Sequence, residues 1–106
     1  MKMVVYVSGL KYLQMKTYLI GYDLNKSDKD YNSLIEKIKT YGTWWHNLDS
    51  TWIIKTNQSA TQIKNTLAPL IDNNDELLVM HLSGEFDSAG FKQKETEWLQ
   101  QQMPNT

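Results

Sequence analysis

The chain has 106 residues, enough for one domain with its own core. It has no cysteine, which excludes disulfide scaffolds, thiol nucleophiles and thiolate metal sites. Its 11 basic residues are all lysine and stand against 12 acidic ones, a net charge of −1. That excludes arginine-type base reading and argues against strong nucleic-acid binding by charge alone, while leaving room for a local lysine patch.

Residues 1–14 (MKMVVYVSGLKYLQ) hold a β-prone apolar run interrupted by Gly9 and read as an N-terminal arm or extra strand. They have neither the long apolar stretch nor the small-residue cleavage site of a secretory leader, so a cytoplasmic protein is expected. No apolar run approaches the roughly 18–20 residues of a membrane span, and no membrane partner is expected.

From residue 15 onward, strand and helix signals alternate. Residues 16–24 (KTYLIGYDL) are rich in β-branched and aromatic residues and predict the first core strand. Ser27, Asp28 and Asp30 offer helix caps and acidic first-turn residues. Tyr31, Leu34, Ile35, Ile38 and Tyr41 then recur on one helical face, which Gly42 stops. Residues 43–48 (TWWHNL) and 51–56 (TWIIKT) flank Asp49-Ser50 and predict a hairpin. Ser59 caps a second helix carrying Ile63, Leu67, Leu70 and Ile71, with Pro69 in its last turn. Residues 76–83 (ELLVMHLS) predict a fourth strand, and 91–102 a short polar tail helix with Trp98 and Leu99.

The order β-α-β-β-α-β predicts an α+β, ferredoxin-like sandwich over 15–91, with antiparallel strand order 4-1-3-2. Both helices would cover one face, and 92–106 would form a C-terminal tail. A two-residue hairpin turn pairs Leu48 with Thr51, His46 with Ile53 and Trp44 with Lys55. If Trp45, Trp52 and Ile54 face the helices, the open face carries Leu19, Trp44, His46, Leu48, Ile53, Leu77 and Val79. So apolar a face calls for a cover, and a second copy of the chain is the simplest one. Leu19, Trp44, Ile53 and Val79 are the expected dimer contacts. A one-residue slip in the hairpin would swap its two faces.

The strand ends gather Asp23, Asp49, Asp75 and Glu76 near one edge of the sheet. The last three read as turn and cap residues. Asp23 differs because it lies inside a strand, on the face expected to dimerise. A two-fold axis near it would bring two carboxylates together, to share a proton or hold a cation such as Mg2+ or Mn2+. His46 is a candidate for proton transfer, against the commoner reading of a hydrogen-bonded core histidine. The four tryptophans and six tyrosines read as core and interface rather than as stacking platforms. Lys26, Lys29, Lys37 and Lys39, around the first helix, are the candidate phosphate contacts. They predict weak binding without sequence preference.

The strand ending Gly-Tyr-Asp-Leu (21–24), the helix, Tyr41-Gly42, the hairpin, the second helix and Glu-Leu-Leu-Val (76–79) together resemble the CRISPR-adaptation protein family, CRISPR-associated protein 2. Gly-Thr-Trp-Trp-His (42–46) and Leu-Asp-Ser-Thr-Trp (48–52) are similar to the small bacterial proteins called SinR-like. The resemblance covers about residues 15–91. It implies a homodimer with two sheets face to face and Asp23 as a metal ligand across the axis. It also implies a nucleic-acid-related function, including divalent-metal endonuclease action on RNA or double-stranded DNA. VapD-type ribonucleases share this fold. The chain departs from the CRISPR family by having Lys26 and Lys29 where arginines commonly follow the aspartate, and by its hairpin. The alternative is a dimeric binding or regulatory module without chemistry.

Overall fold

The computed structural model describes residues 15–26 and 30–103. The expected N-terminal arm or strand, the caps Ser27 and Asp28, and the candidate phosphate contact Lys29 lie outside the described residues. The protein is α+β, with a four-stranded antiparallel sheet. In chain order the elements are β1 (Lys16–Asp23), α1 (Asn32–Lys39), β2 (Trp44–Leu48), β3 (Thr51–Thr56), α2 (Ala60–Leu67), β4 (Glu76–Leu82) and α3 (Gln93–Gln102). The sheet order β2-β3-β1-β4 is the expected 4-1-3-2 read from the other edge. Among the described residues no helix is long and apolar enough to cross a membrane.

Local chemistry sets the ends of the helices. Asp30 accepts the Asn32 backbone N–H at 2.8 Å at the start of α1. The last turn of α1 tightens into i→i−3 bonds, and Gly42 leaves it at φ 86°, where a Cβ is costly. Ser59 and Gln62 form a reciprocal capping box on α2. Pro69 has no N–H to continue α2, which ends at Leu67 and passes into a 3-10 turn over Ala68–Leu70.

The alternation of β1 sorts the layers. Tyr18 and Ile20 pair with Ile54 and Trp52 of β3, and this set packs on Leu34, Ile38, Ile63 and Leu67 of α1 and α2. All eight are essentially buried. Each large apolar side chain removed from water contributes roughly 1.5–3 kcal/mol. Tyr22, Leu77 and Val79 border the same core. Leu77 and Val79 therefore lie on the helix side. The register dictates this, because Val79 is opposite Ile20 and Leu77 is opposite Tyr22.

The hairpin also departs from its expected faces. Leu48 pairs with Thr51 as expected, but Trp45 pairs with Ile53 and Trp44 with Ile54, with a register shift between Trp45 and Leu48. His46 and Asn47 form a bulge opposite Trp52, which turns the rest of β2 over. Trp44 thus joins the helix side, 5.2 Å from Trp52 between ring centroids. Trp45 joins the other face.

That other face is covered in part by the chain's own tail. Trp45 is buried, donates from Nε1 to the Glu95 carbonyl at 3.1 Å, and meets Phe91 edge to face at 5.1 Å. Thr17 Oγ1 donates to the Gln102 carbonyl at 2.8 Å, and Leu99 and Met103 are buried. α3 therefore runs from the middle of β2 to the start of β1. Among the described residues, the half of the face beyond Gly21 has no such cover.

Candidate functional site

The uncovered half-face follows from the strand register. Leu78, Gly21, Thr51 and Leu48 form one row across the sheet, and Met80, Leu19 and Ile53 stand in the next. Leu48, Leu78 and Met80 are 48%, 52% and 48% exposed. Three large apolar side chains exposed on one sheet surface mark an interaction site more readily than a single exposed residue does. Of the four expected dimer contacts, Leu19 and Ile53 share this face as direct neighbours. Trp44 and Val79 emerge on the opposite side, so the four do not form one patch; the bulge and the β4 register separate them.

Asp23 ends β1 beside this row, exposed, with Glu76 of β4 directly opposite. Register partners share a face, so two carboxylates stand side by side at the margin of the apolar patch. Like charges placed this way weaken a sheet unless something neutralises them. Sequence reasoning grouped Glu76 with the turn residues; only the pairing of β1 with β4 makes it Asp23's neighbour. Among the described residues of one chain, no group of three or more Asp, Glu or His is arranged to hold a metal ion.

The other acids of this edge have structural partners. Asp75 accepts the backbone N–H groups of Asn25 and Asp72 at 2.7 and 2.8 Å and the Tyr31 hydroxyl at 2.8 Å. It thus ties the exit of β1 and the entry of α1 to the β4 approach. Burial raises the Tyr31 pKa above 10.0, and the bond to Asp75 pushes it the same way. Asp49 is exposed in the hairpin turn, and its carbonyl lies 3.1 Å from His46 Nε2.

His46 is not brought to Asp23. Its ring stacks on buried Trp52, 3.8 Å between centroids and 14° from parallel, on the helix side of the sheet. Asp23 leaves the other side, so the expected partnership in proton transfer has no geometric basis within one chain. The bulge that carries His46 is the reason.

Two of the candidate phosphate contacts, Lys26 and Lys39, have acidic or aromatic neighbours. Lys26 Nζ is 3.5 Å from Asp72. Lys39 Nζ is 3.8 Å from Glu36 and lies over the Trp44 ring, 5.7 Å from its centroid. Lys37 is exposed in the last turn of α1.

Two of the concavities that border α3 differ in what lines them. The larger, about 610 Å³, is formed by residues 84–88 with Thr96, Gln100 and Met103, and contains none of the sequence-predicted residues. The other, about 240 Å³, lies between β2 and α3 and gathers Trp44, Trp45, His46 and Trp98 with Lys94. Sequence reasoning placed Trp98 in the tail helix but not beside the Trp-Trp-His run, because only packing brings the tail to β2. Compared with protein-family models, curated proteins and solved structures, the chain matches none of them.

Proposed function

We propose that the chain is a nucleic-acid-associated protein that works as a homodimer of ferredoxin-like subunits, like the CRISPR-adaptation and SinR-like proteins it resembles. The observation that carries this reading is the exposed Leu48 and Leu78 on the row Leu48–Thr51–Gly21–Leu78, with Met80 in the next row and Asp23 beside it. A second copy placed on this row about a two-fold axis covers the patch and brings both Asp23 carboxylates to its margin.

Asp23 and Glu76 are hard oxygen donors of the kind that bind Mg2+ or Mn2+, and both are exposed, so the residues fit such an ion. There the ion would polarise a phosphodiester and make bound water more acidic. The chain's own part is to hold the ion through Asp23 and Glu76 and to attract the phosphate backbone through lysines. With Lys26 and Lys39 beside acids, that attraction is weak, sequence-independent and lost by physiological salt.

Light scattering at micromolar concentration should give about twice 12.4 kDa. Leu78→Asp should shift the protein to monomer. Incubation with RNA and with double-stranded DNA, in Mg2+, Mn2+ or EDTA, tests the chemistry beside Asp23→Asn. Mg2+ should raise the melting temperature of the native protein more than that of Asp23→Asn, since a ligand bound only by the folded state stabilises it. A clean monomer with the row exposed would sink this reading. Cleavage that persists in Asp23→Asn would remove its chemical part.

A further inference from the structure

The two edges of the sheet are finished differently. β2 is five residues long, carries the His46–Asn47 bulge and is held by α3 through Trp45. Short strands, bulges and covering elements keep a sheet edge from pairing with another chain. β4, at the other edge, has none of them among the described residues. It runs seven residues (ELLVMHL) in unbroken register with β1, without Pro, Gly or Lys.

The hydrogen-bond polarity of β1 fixes which β4 groups face outward. Tyr22 donates its backbone N–H to the Ser50 carbonyl at 3.1 Å, on the β3 side. Backbone groups alternate sides along a strand, so Leu19, Gly21 and Asp23 direct theirs to β4. Their register partners Met80, Leu78 and Glu76 return those bonds. Leu77, Val79 and His81 therefore point their N–H and C=O groups away from the sheet. Among the described residues no other group takes them up.

A second copy of β4 is complementary to this edge. A two-fold axis through Val79, perpendicular to the sheet, sets Val79 opposite its own copy and Leu77 opposite the partner's His81. Each such pair exchanges two N–H···O bonds. The same register sets Leu78 opposite the partner's Met80, so side chains 52% and 48% exposed in one chain become cross-strand neighbours. Glu76 falls opposite the partner's Leu82, so like charges do not meet. An axis one residue to either side would carry His81 or Leu77 past the end of the partner strand.

We propose that β4 is a self-pairing edge, through which two copies of this chain join their sheets into one. The contact goes beyond the face-to-face dimer and does not rest on it. Backbone groups in the plane of the sheet make it, and it leaves the open faces of both copies on the same side.

The test follows light scattering and residue-resolved hydrogen exchange of the full chain at low micromolar and at submillimolar concentration. The amides of Leu77, Val79 and His81 should exchange about tenfold more slowly once about nine in ten copies are paired, because only a free edge exchanges. Those of Leu78 and Met80 bond to β1 and should be protected at both concentrations. Mass should rise in step with the slowing. His81→Pro removes an outward N–H without touching the β1 ladder, and should abolish both the slowing at Leu77 and Val79 and the added mass. His81→Ala keeps the N–H and should retain both; it also controls for the lost ring contact with Tyr18, 5.4 Å away. Fast exchange of the outward amides at both concentrations overturns the proposal. If they are slow at both, His81→Pro decides: a halved mass means a tight pair, and an unchanged mass means a cover from the same chain, which overturns it. Leu48→Asp, on the far edge strand, perturbs the face alone. If the outward amides slow with concentration in a protein whose mass ignores Leu48→Asp, the edge stands and the face reading fails. If two copies form while those amides stay fast, the edge fails and the face reading stands.

Discussion

Trp45 is the pin that holds α3 to the sheet, and replacing it measures how much that cover is worth. The ring is 4% exposed, donates to the Glu95 carbonyl at 3.1 Å and meets Phe91 at 5.1 Å, 78° from parallel. Truncation of a buried Trp to Ala costs about 3–5 kcal/mol through lost burial and the cavity left behind. Within that sum the hydrogen bond contributes about 0.5–1.5 kcal/mol. The edge-to-face pair contributes a similar amount, about 0.5–1.5 kcal/mol. Trp45→Phe keeps a ring beside Phe91 and loses the N–H donor, so it should cost about 1–2 kcal/mol. A domain of this size has only about 5–15 kcal/mol of stability, so Trp45→Ala should move the urea midpoint strongly. Hydrogen exchange locates the effect: amides of α3 should lose protection first, while those of α1 and α2 follow only the global change. A loss below about 1 kcal/mol in Trp45→Ala would refute the reasoning. So would faster exchange in α1 with α3 unaffected, because that pattern belongs to a Trp45 facing the other layer.

Three further outcomes are expected. Asp75→Asn should lose about 1–3 kcal/mol in urea unfolding, because its carboxylate accepts from Asn25, Asp72 and Tyr31 and an amide offers only one accepting oxygen. Tyr31→Phe should add little in that background, since the two residues share one bond. Gly42→Ala should cost about 1–2 kcal/mol by thermal melting, from backbone strain alone, since an added Cβ at φ 86° meets nothing within 4 Å. Burial raises the Tyr18 pKa above 10.0, and Tyr41 shifts the same way. The folded state thus favours the protonated phenol, so this contribution is complete below pH 10.0 and lost as pH rises through the folded values. Tyr18→Phe should lose the bond to the Gln58 carbonyl and show a smaller alkaline decline in urea midpoint than the native protein.

Wherever a short-range rule governs, the sequence by itself was sufficient. Apolar residues at 31, 34, 35, 38 and 41 have one helical solution, and Gly42, Ser59 and Pro69 punctuate the chain by backbone chemistry that needs no neighbours. The element order and the sheet order follow from these local signals together with the general rules of strand connection. The choice of face was decided only in the folded protein. A period of two makes one extra residue invert everything beyond it, and the His46–Asn47 bulge does this to Trp44 and Trp45. The β4 register likewise placed Leu77 and Val79 on the core, leaving Leu78 and Met80 outside. Glu76 became the neighbour of Asp23, and His46 was carried away from it, through pairings that no local pattern encodes. The tail reads as polar, yet Leu99 and Met103 are buried because α3 meets a sheet surface assembled from strands distant in sequence. Local periodicity determines which segments form; the company each side chain keeps depends on long-range registers, where a single residue reverses the outcome.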